Sequence, residues 1–245
     1  MQAPSVKTVI LRITLIIGMV ELLIMLLLSS MELNLNSSEE ALFDSVLLVV
    51  LSTPLIYLWV IRPYVLARDE AVAKVTYMAF HDPLTQLANR HLIAEHLEKI
   101  LASIGRHKLY GALLMIDLDD FKPINDNSGH GTGDSILLEV AIRLQANIRS
   151  EDIAGRLGGD EFVVILCQLD SDAQTALNGA LHIAGRIQAA ITQPITLKET
   201  YRLSASIGLR VLGDDTADID VLMKEADIAM YRAKQNGKGN TVVFE

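Results

Sequence analysis

Twenty consecutive residues, Val9 to Leu28, read VILRITLIIGMVELLIMLLL. As a helix rising about 1.5 Å per residue, such a run matches the hydrocarbon core of a bilayer, about 30 Å thick. Arg12 lies near its start, where a guanidinium can snorkel toward headgroups. Glu21 lies nearer the middle, where a carboxylate is costly unless it is protonated or faces a partner helix. A second apolar run, Val46 to Ile61, is extended past Asp44 by Ala41, Leu42 and Phe43. Pro54 is expected to kink it without forbidding it. Residues 29–45 carry Glu32, Glu39, Glu40 and Asp44 and no Lys or Arg, whereas the outer flanks carry Lys7, Arg12, Arg62 and Arg68. The bias of positive charge puts both ends in the cytoplasm and the loop outside. A cleaved leader is disfavoured, because no clear small-x-small site follows the first run and a second run does. A loop this short cannot build a ligand-binding domain.

The rest of the chain must fold in water. Of its 245 residues, 21 are basic and 30 acidic, a net charge of -9. That disfavours a general nucleic-acid-coating role, which needs a basic footprint. The single cysteine, Cys167, rules out a disulfide within the chain and a thiolate-built zinc site. It reads as a small core residue. Residues 1–61 are therefore expected to form a membrane anchor with spans at about 9–28 and 43–61. Residues 62–79 form a helical connector, and residues 80–245 an α/β domain. In the connector, Val65, Val72 and Ala79 recur every seven residues with Val75 between them. This pattern suits a short parallel contact between two chains and equally suits a surface helix.

Within 80–245, helices are expected over Asn89–Ile104, Asp134–Ile148, Ala173–Ile191 and Ile219–Gln235. Strands are expected over Tyr110–Ile116, Glu161–Cys167, Tyr201–Leu209 and Thr241–Phe244. Helices alternating with strands predict a layered α/β fold with a mixed sheet. Two acid clusters follow strands: Asp117-Leu118-Asp119-Asp120-Phe121-Lys122, and Asp160-Glu161 after the Gly158-Gly159 pair. Strand ends and glycine turns bring backbone close to ligands. Carboxylates gathered there would suit Mg²⁺, a hard ion that shares oxygen ligands with phosphates. An Asp pair at a turn is equally a common structural feature, and sequence separation alone does not bring the clusters together.

Gly158-Gly159-Asp160-Glu161-Phe162 resembles the signature turn of the GGDEF family, the diguanylate cyclases. The frame around it is similar as well: His81-Asp82-Pro83-Leu84-Thr85 with Leu87, Asn89 and Arg90, then Asn125-Asp126, Gly129-His130 and Gly133-Asp134. Ala229 to Lys234 and Gly237 to Asn240 resemble the closing segment. The resemblance runs from Phe80 to Glu245. It implies a nucleotide-cyclase and polymerase-palm-like mixed sheet with flanking helices, here preceded by two transmembrane helices. It implies condensation of two GTP molecules to cyclic di-GMP with release of two pyrophosphates, across a homodimer.

By position, the resemblance implies metal ligation by Asp117 and Asp160 through side chains and Leu118 through its carbonyl. The ion would be Mg²⁺, with Mn²⁺ as the alternative. Asp160, Glu161 and Lys122 are the implied catalytic residues. Asn125 and Asp134 would bind the guanine edge. Lys122, Lys234 and Lys238 would face the triphosphate. Lys238 stands where many members carry arginine, which keeps the charge and loses the fork geometry. Arg149-Ser150-Glu151-Asp152 matches the Arg-x-x-Asp product-inhibitory site, with Arg149 and Asp152 as the residues that would hold cyclic di-GMP. Together these imply an enzyme of the bacterial cytoplasmic (inner) membrane, with no nucleic-acid polymer as partner. The alternative is a non-catalytic cyclic di-GMP receptor or scaffold.

Overall fold

A computed structural model describes residues 5–30, 36–213 and 218–245. Two compact units emerge, residues 1–76 and 77–245.

In the first unit, α1 (Val6–Ser30) and α2 (Ser37–Ile56) are both longer than the apolar runs alone suggest. Much of the expected loop is helical. Asn36 accepts from Glu39 N–H at 3.0 Å while the Glu39 side chain accepts from Asn36 N–H at 3.1 Å. This capping box starts α2 well before its apolar run. The residues between the helices, 31–35, lie outside the described part. Both helices are long and apolar enough to cross a membrane.

Helix continues past α2 through a π-helical stretch, Tyr57–Ile61, into α3 (Arg62–Phe80). The expected kink at Pro54 becomes a local widening between Pro54 and Pro63. Pro63 has no N–H for the Trp59 carbonyl four residues back. Arg12 Nη1 donates to that carbonyl at 3.2 Å. A charge near the start of α1 thus lies beside the π-helical stretch that follows α2, as in an antiparallel pair. Along α3 no residue is buried, and Val72 and Val75 are exposed.

The second unit is a five-stranded sheet in the order β2-β3-β1-β6-β7 with helices on both faces. Its strands are β1 (Tyr110–Leu118), β2 (Ile153–Gly158), β3 (Glu161–Asp170), β6 (Ala205–Leu212) and β7 (Thr241–Val243). β1 pairs antiparallel with both β3 and β6, and β6 pairs parallel with β7. The sheet is therefore mixed, as expected. The two-residue strands β4 (Ile195–Thr196) and β5 (Thr200–Tyr201) form a separate small ladder.

β1 is buried on both faces, which is why it reads as an unbroken apolar run. Ala112, Leu114, Ile116 and Leu118 face one core with α6 (His130–Ala146) and α7 (Ala173–Thr192). Leu113 and Met115 face the other core with α4 (Arg90–His107) and α8 (Ile219–Gln235). By this alternation Asp117 falls on the α4/α8 side. At Gly208 of β6, a Cβ would collide with the Ala226 carbonyl and the Met230 N of α8. That absence lets α8 lie directly on the sheet.

Three departures from expectation bear on the site. The strand expected at Tyr201–Leu209 is interrupted: Tyr201 belongs to β5, and β6 runs later, to Leu212. α6 begins four residues before Asp134, despite Gly131 and Gly133. A short helix, α5 (Phe121–Ser128), fills what reads as a polar loop.

Candidate active site

The two acid clusters meet. β1 and β3 are paired with Asp117 opposite Glu161. β2 and β3 form a hairpin whose last pair is Gly158 with Glu161, leaving Gly159-Asp160 as the two-residue turn. Gly158 and Gly159 have φ of 147° and 54°, conformations that side chains resist. Leu118 N–H donates to the Asp160 carbonyl at 3.3 Å, tying the turn to the end of β1.

Asp117 is only 6% exposed. Burial pushes its carboxyl above the usual range, and the charges of Asp160 and Glu161 push the same way. A hydrogen bond from Lys234 opposes them, with Nζ 2.8 Å from Oδ2. Lys234 is delivered by the last turn of α8. Lys238 lies three residues beyond α8 and pairs with Asp120 at 2.7 Å, a hydrogen bond that raises its pKa.

Asp117, Asp160 and Leu118 provide only oxygen donors, which fit Mg²⁺ or Mn²⁺ in kind. Among the described residues no group of three or more His, Cys, Asp or Glu side chains forms a ready-made ion cage. A two-carboxylate site that shares its ion with phosphates needs no such cage.

Asn125 lies in α5 and Asp134 in the first turns of α6. The α5–α6 corner sets Asn125 against Gly133, the residue before Asp134: a Cβ on Gly133 would stand 2.5 Å from Asn125 Oδ1. That oxygen is buried and lacks a hydrogen-bond partner. A buried unpaired acceptor is costly. Asp134 and Lys122 are exposed.

Arg149 and Asp152 stand apart from the acid centre, at the approach to β2. They line a cleft of about 330 Å³ with His81, Gln86, Leu92 and Gln145. The Arg149 guanidinium is 3.9 Å from Glu151 rather than on Asp152. Asp152 accepts from the Arg149 and Cys167 main-chain N–H groups, each at 2.9 Å. Its carboxylate therefore also fixes the turn into β2.

Two residues near the turn have no individual role in the reading of the sequence. Arg156 donates to the Gly159 carbonyl at 2.7 and 3.0 Å and to Asp82 Oδ1 at 3.0 Å. Asp119 is buried beside β6. Their signals were faint: an arginine two residues before a glycine pair, and an acid two residues from another acid.

Residues 79–240 match the GGDEF domain, described as a diguanylate cyclase. The chain belongs to the GGDEF family of diguanylate cyclases. It is 38% identical over 175 residues to the diguanylate cyclase TpbB of Pseudomonas aeruginosa, covering 71% of this chain and 39% of TpbB. It is 39% identical over 188 residues to the bifunctional diguanylate cyclase/cyclic di-GMP phosphodiesterase MucR of the same species, covering 75% of this chain and 26% of MucR. The chain thus spans about a quarter to two fifths of these relatives.

The solved GGDEF domain of TpbB superposes with a TM-score of 0.63 at 38% identity, covering 67% of this chain and 94% of that one. The GGDEF domain of DgcB from Caulobacter crescentus, solved with cyclic di-GMP, gives a TM-score of 0.62 at 25% identity, covering 68% and 94%. In this GGDEF domain the signature is a real hairpin turn, with its two acids against the buried acid of β1.

Proposed function

We propose that this chain is an active diguanylate cyclase that condenses two GTP molecules into cyclic di-GMP and two pyrophosphates. The observation that carries the proposal is the convergence of Asp117 with Asp160 and Glu161 on paired strands, rimmed by Lys234. Its similarity to TpbB supports the same reading.

Asp117, Asp160 and the Leu118 carbonyl would hold Mg²⁺ or Mn²⁺. When bound, the ion would neutralise phosphate charge and lower the pKa of the attacking 3′-hydroxyl. Lys122, Lys234 and Lys238 meet the triphosphate and the charge that grows on its oxygens during attack at the α-phosphorus. Glu161 lies beside the reacting hydroxyl. Asn125 and Asp134 bind the guanine edge. Burial of Asp117 strengthens its interactions with Lys234 and with a bound ion.

One domain holds one GTP, so two domains meet face to face. The spans at α1 and α2 anchor the protein in the bacterial cytoplasmic membrane, with both ends and the catalytic domain in the cytoplasm. The exposed valines of α3 form a parallel contact that raises the local concentration of domains. Arg149 and Asp152 bind cyclic di-GMP and inhibit turnover.

The test is full-length protein in membranes, given GTP and Mg²⁺, with products separated by chromatography. Cyclic di-GMP should form with the intact chain and not with Asp160→Ala at equal protein level. Failure to form product even when domains are artificially dimerised, with cyclic di-GMP still bound, would replace the enzyme by a receptor.

A further inference from the structure

Asp119 has no part in the site as described so far, yet it is only 4% exposed. Its Oδ1 accepts from Ser206 Oγ at 2.7 Å. Its Oδ2 accepts from Ser204 Oγ at 2.6 Å and from the Gly239 main-chain N–H at 2.9 Å. A carboxylate is the side chain suited to this position, because it accepts from several donors and brings no donor of its own.

The bond to Gly239 reaches into an unusual loop. Gly237, Lys238 and Gly239 follow one another with φ of 99°, 61° and 57°. Lys238 therefore sits in a conformation that a side-chain-bearing residue adopts only when its surroundings hold it there. On the α8 side, Lys238 N–H donates to the Ala233 carbonyl at 3.2 Å. Asn240 Nδ2 donates to the carbonyls of Ala233 at 2.9 Å and Lys238 at 3.0 Å. On the β1 side, the loop's main chain is held by Asp119.

We infer that Asp119 is a positioning residue for the triphosphate tail: its buried carboxylate locks the left-handed Gly237–Gly239 loop to the end of β1 and so sets where the Lys238 ammonium is delivered. The inference rests on the proposed role of Lys238 toward phosphate. It makes Asp119 act through Lys238, without touching substrate.

The experiment measures two affinities of the full chain in detergent micelles. One ligand is a GTP analogue with a methylene bridge between the α- and β-phosphorus, which binds without turnover. The other is GMP, which has the same base and lacks the tail. Asp119→Asn is nearly isosteric and turns an amide NH₂ toward the donors. It should weaken the analogue about tenfold, the scale of a lost charge-assisted hydrogen bond. GMP affinity should stay within about twofold, as expected for a distant, uncoupled contact.

Ser204→Ala removes one donor and should shift the same ratio in the same direction by less. It decides the matter if Asp119→Asn does not fold. Equal weakening of both ligands would reduce Asp119 to a structural residue and overturn the inference. Lys238→Ala separates the two levels of failure. If it weakens only the analogue while Asp119→Asn changes nothing, the positioning role falls and the proposed site stands. If Lys238→Ala also changes nothing, the phosphate role of Lys238 falls and takes the inference with it.

Discussion

Asp82 and Arg156 carry the contact between the turn that follows the connector and the signature hairpin. Burial disfavours the charged Asp82, but hydrogen bonds from Thr85 and Arg156 outweigh it and lower its pKa. A depressed carboxyl contributes stability above its unfolded pKa, and that contribution is lost as pH falls through the lower folded value. Asp82→Asn should therefore lower stability by about 1–2 kcal/mol at neutral pH, with the difference shrinking in acid, as read by urea unfolding across pH. Cys167 gives a second test. Burial, with Asp152 and Glu151 nearby, pushes its thiol up to about 11. Thiolate is the reactive form. The folded protein at pH 8 should be alkylated by iodoacetamide far more slowly than the urea-unfolded protein, as read by mass.

At the scale of elements, the close approach of α8 to β6 over Gly208 has no room for a methyl group, because the atoms in the way are backbone. Gly208→Ala should cost about 2–3 kcal/mol, seen as a lower urea midpoint with an unchanged slope. It should also displace Lys234, which rides on the last turn of α8, and lower cyclase activity beyond the loss of folded protein. The long elements were legible in the sequence. α7 and α8 declare themselves by apolar spacing, and β1 by its unbroken run. α5 was not legible: Pro123, Asn125, Asp126 and Asn127 read as loop, and tertiary contact at the buried Phe121 overrides their propensity. Ser204 and Ser206 lie in the strand expected over 201–209 with no sign of a partner, and both turn to Asp119. The acid clusters could be named in advance. Their meeting depends on the pairing of β1 with β3, which joins positions 117 and 161 and leaves no local trace.

At the scale of the whole molecule, the chain divides into a unit with two helices long and apolar enough to cross a membrane and one GGDEF domain. If a single domain supplies half a reaction centre, activity must depend on how many chains share a membrane. Nanodiscs loaded with one chain should be silent, and nanodiscs loaded with two should make cyclic di-GMP. Equal activity per chain in both would exclude the paired mechanism.

The pleat of β1 gives the domain something like a reading frame with a period of two. Even positions from 112 to 118 serve the α6/α7 core, and Asp117 looks the other way. Insertion of a single residue ahead of Asp117 would point the acid into that apolar core, away from Lys234, and would bring Ile116 or the inserted residue into the acid's place. Insertion of two would restore the sense of every side chain. Descent with changing length is thus constrained along this strand by parity more than by distance.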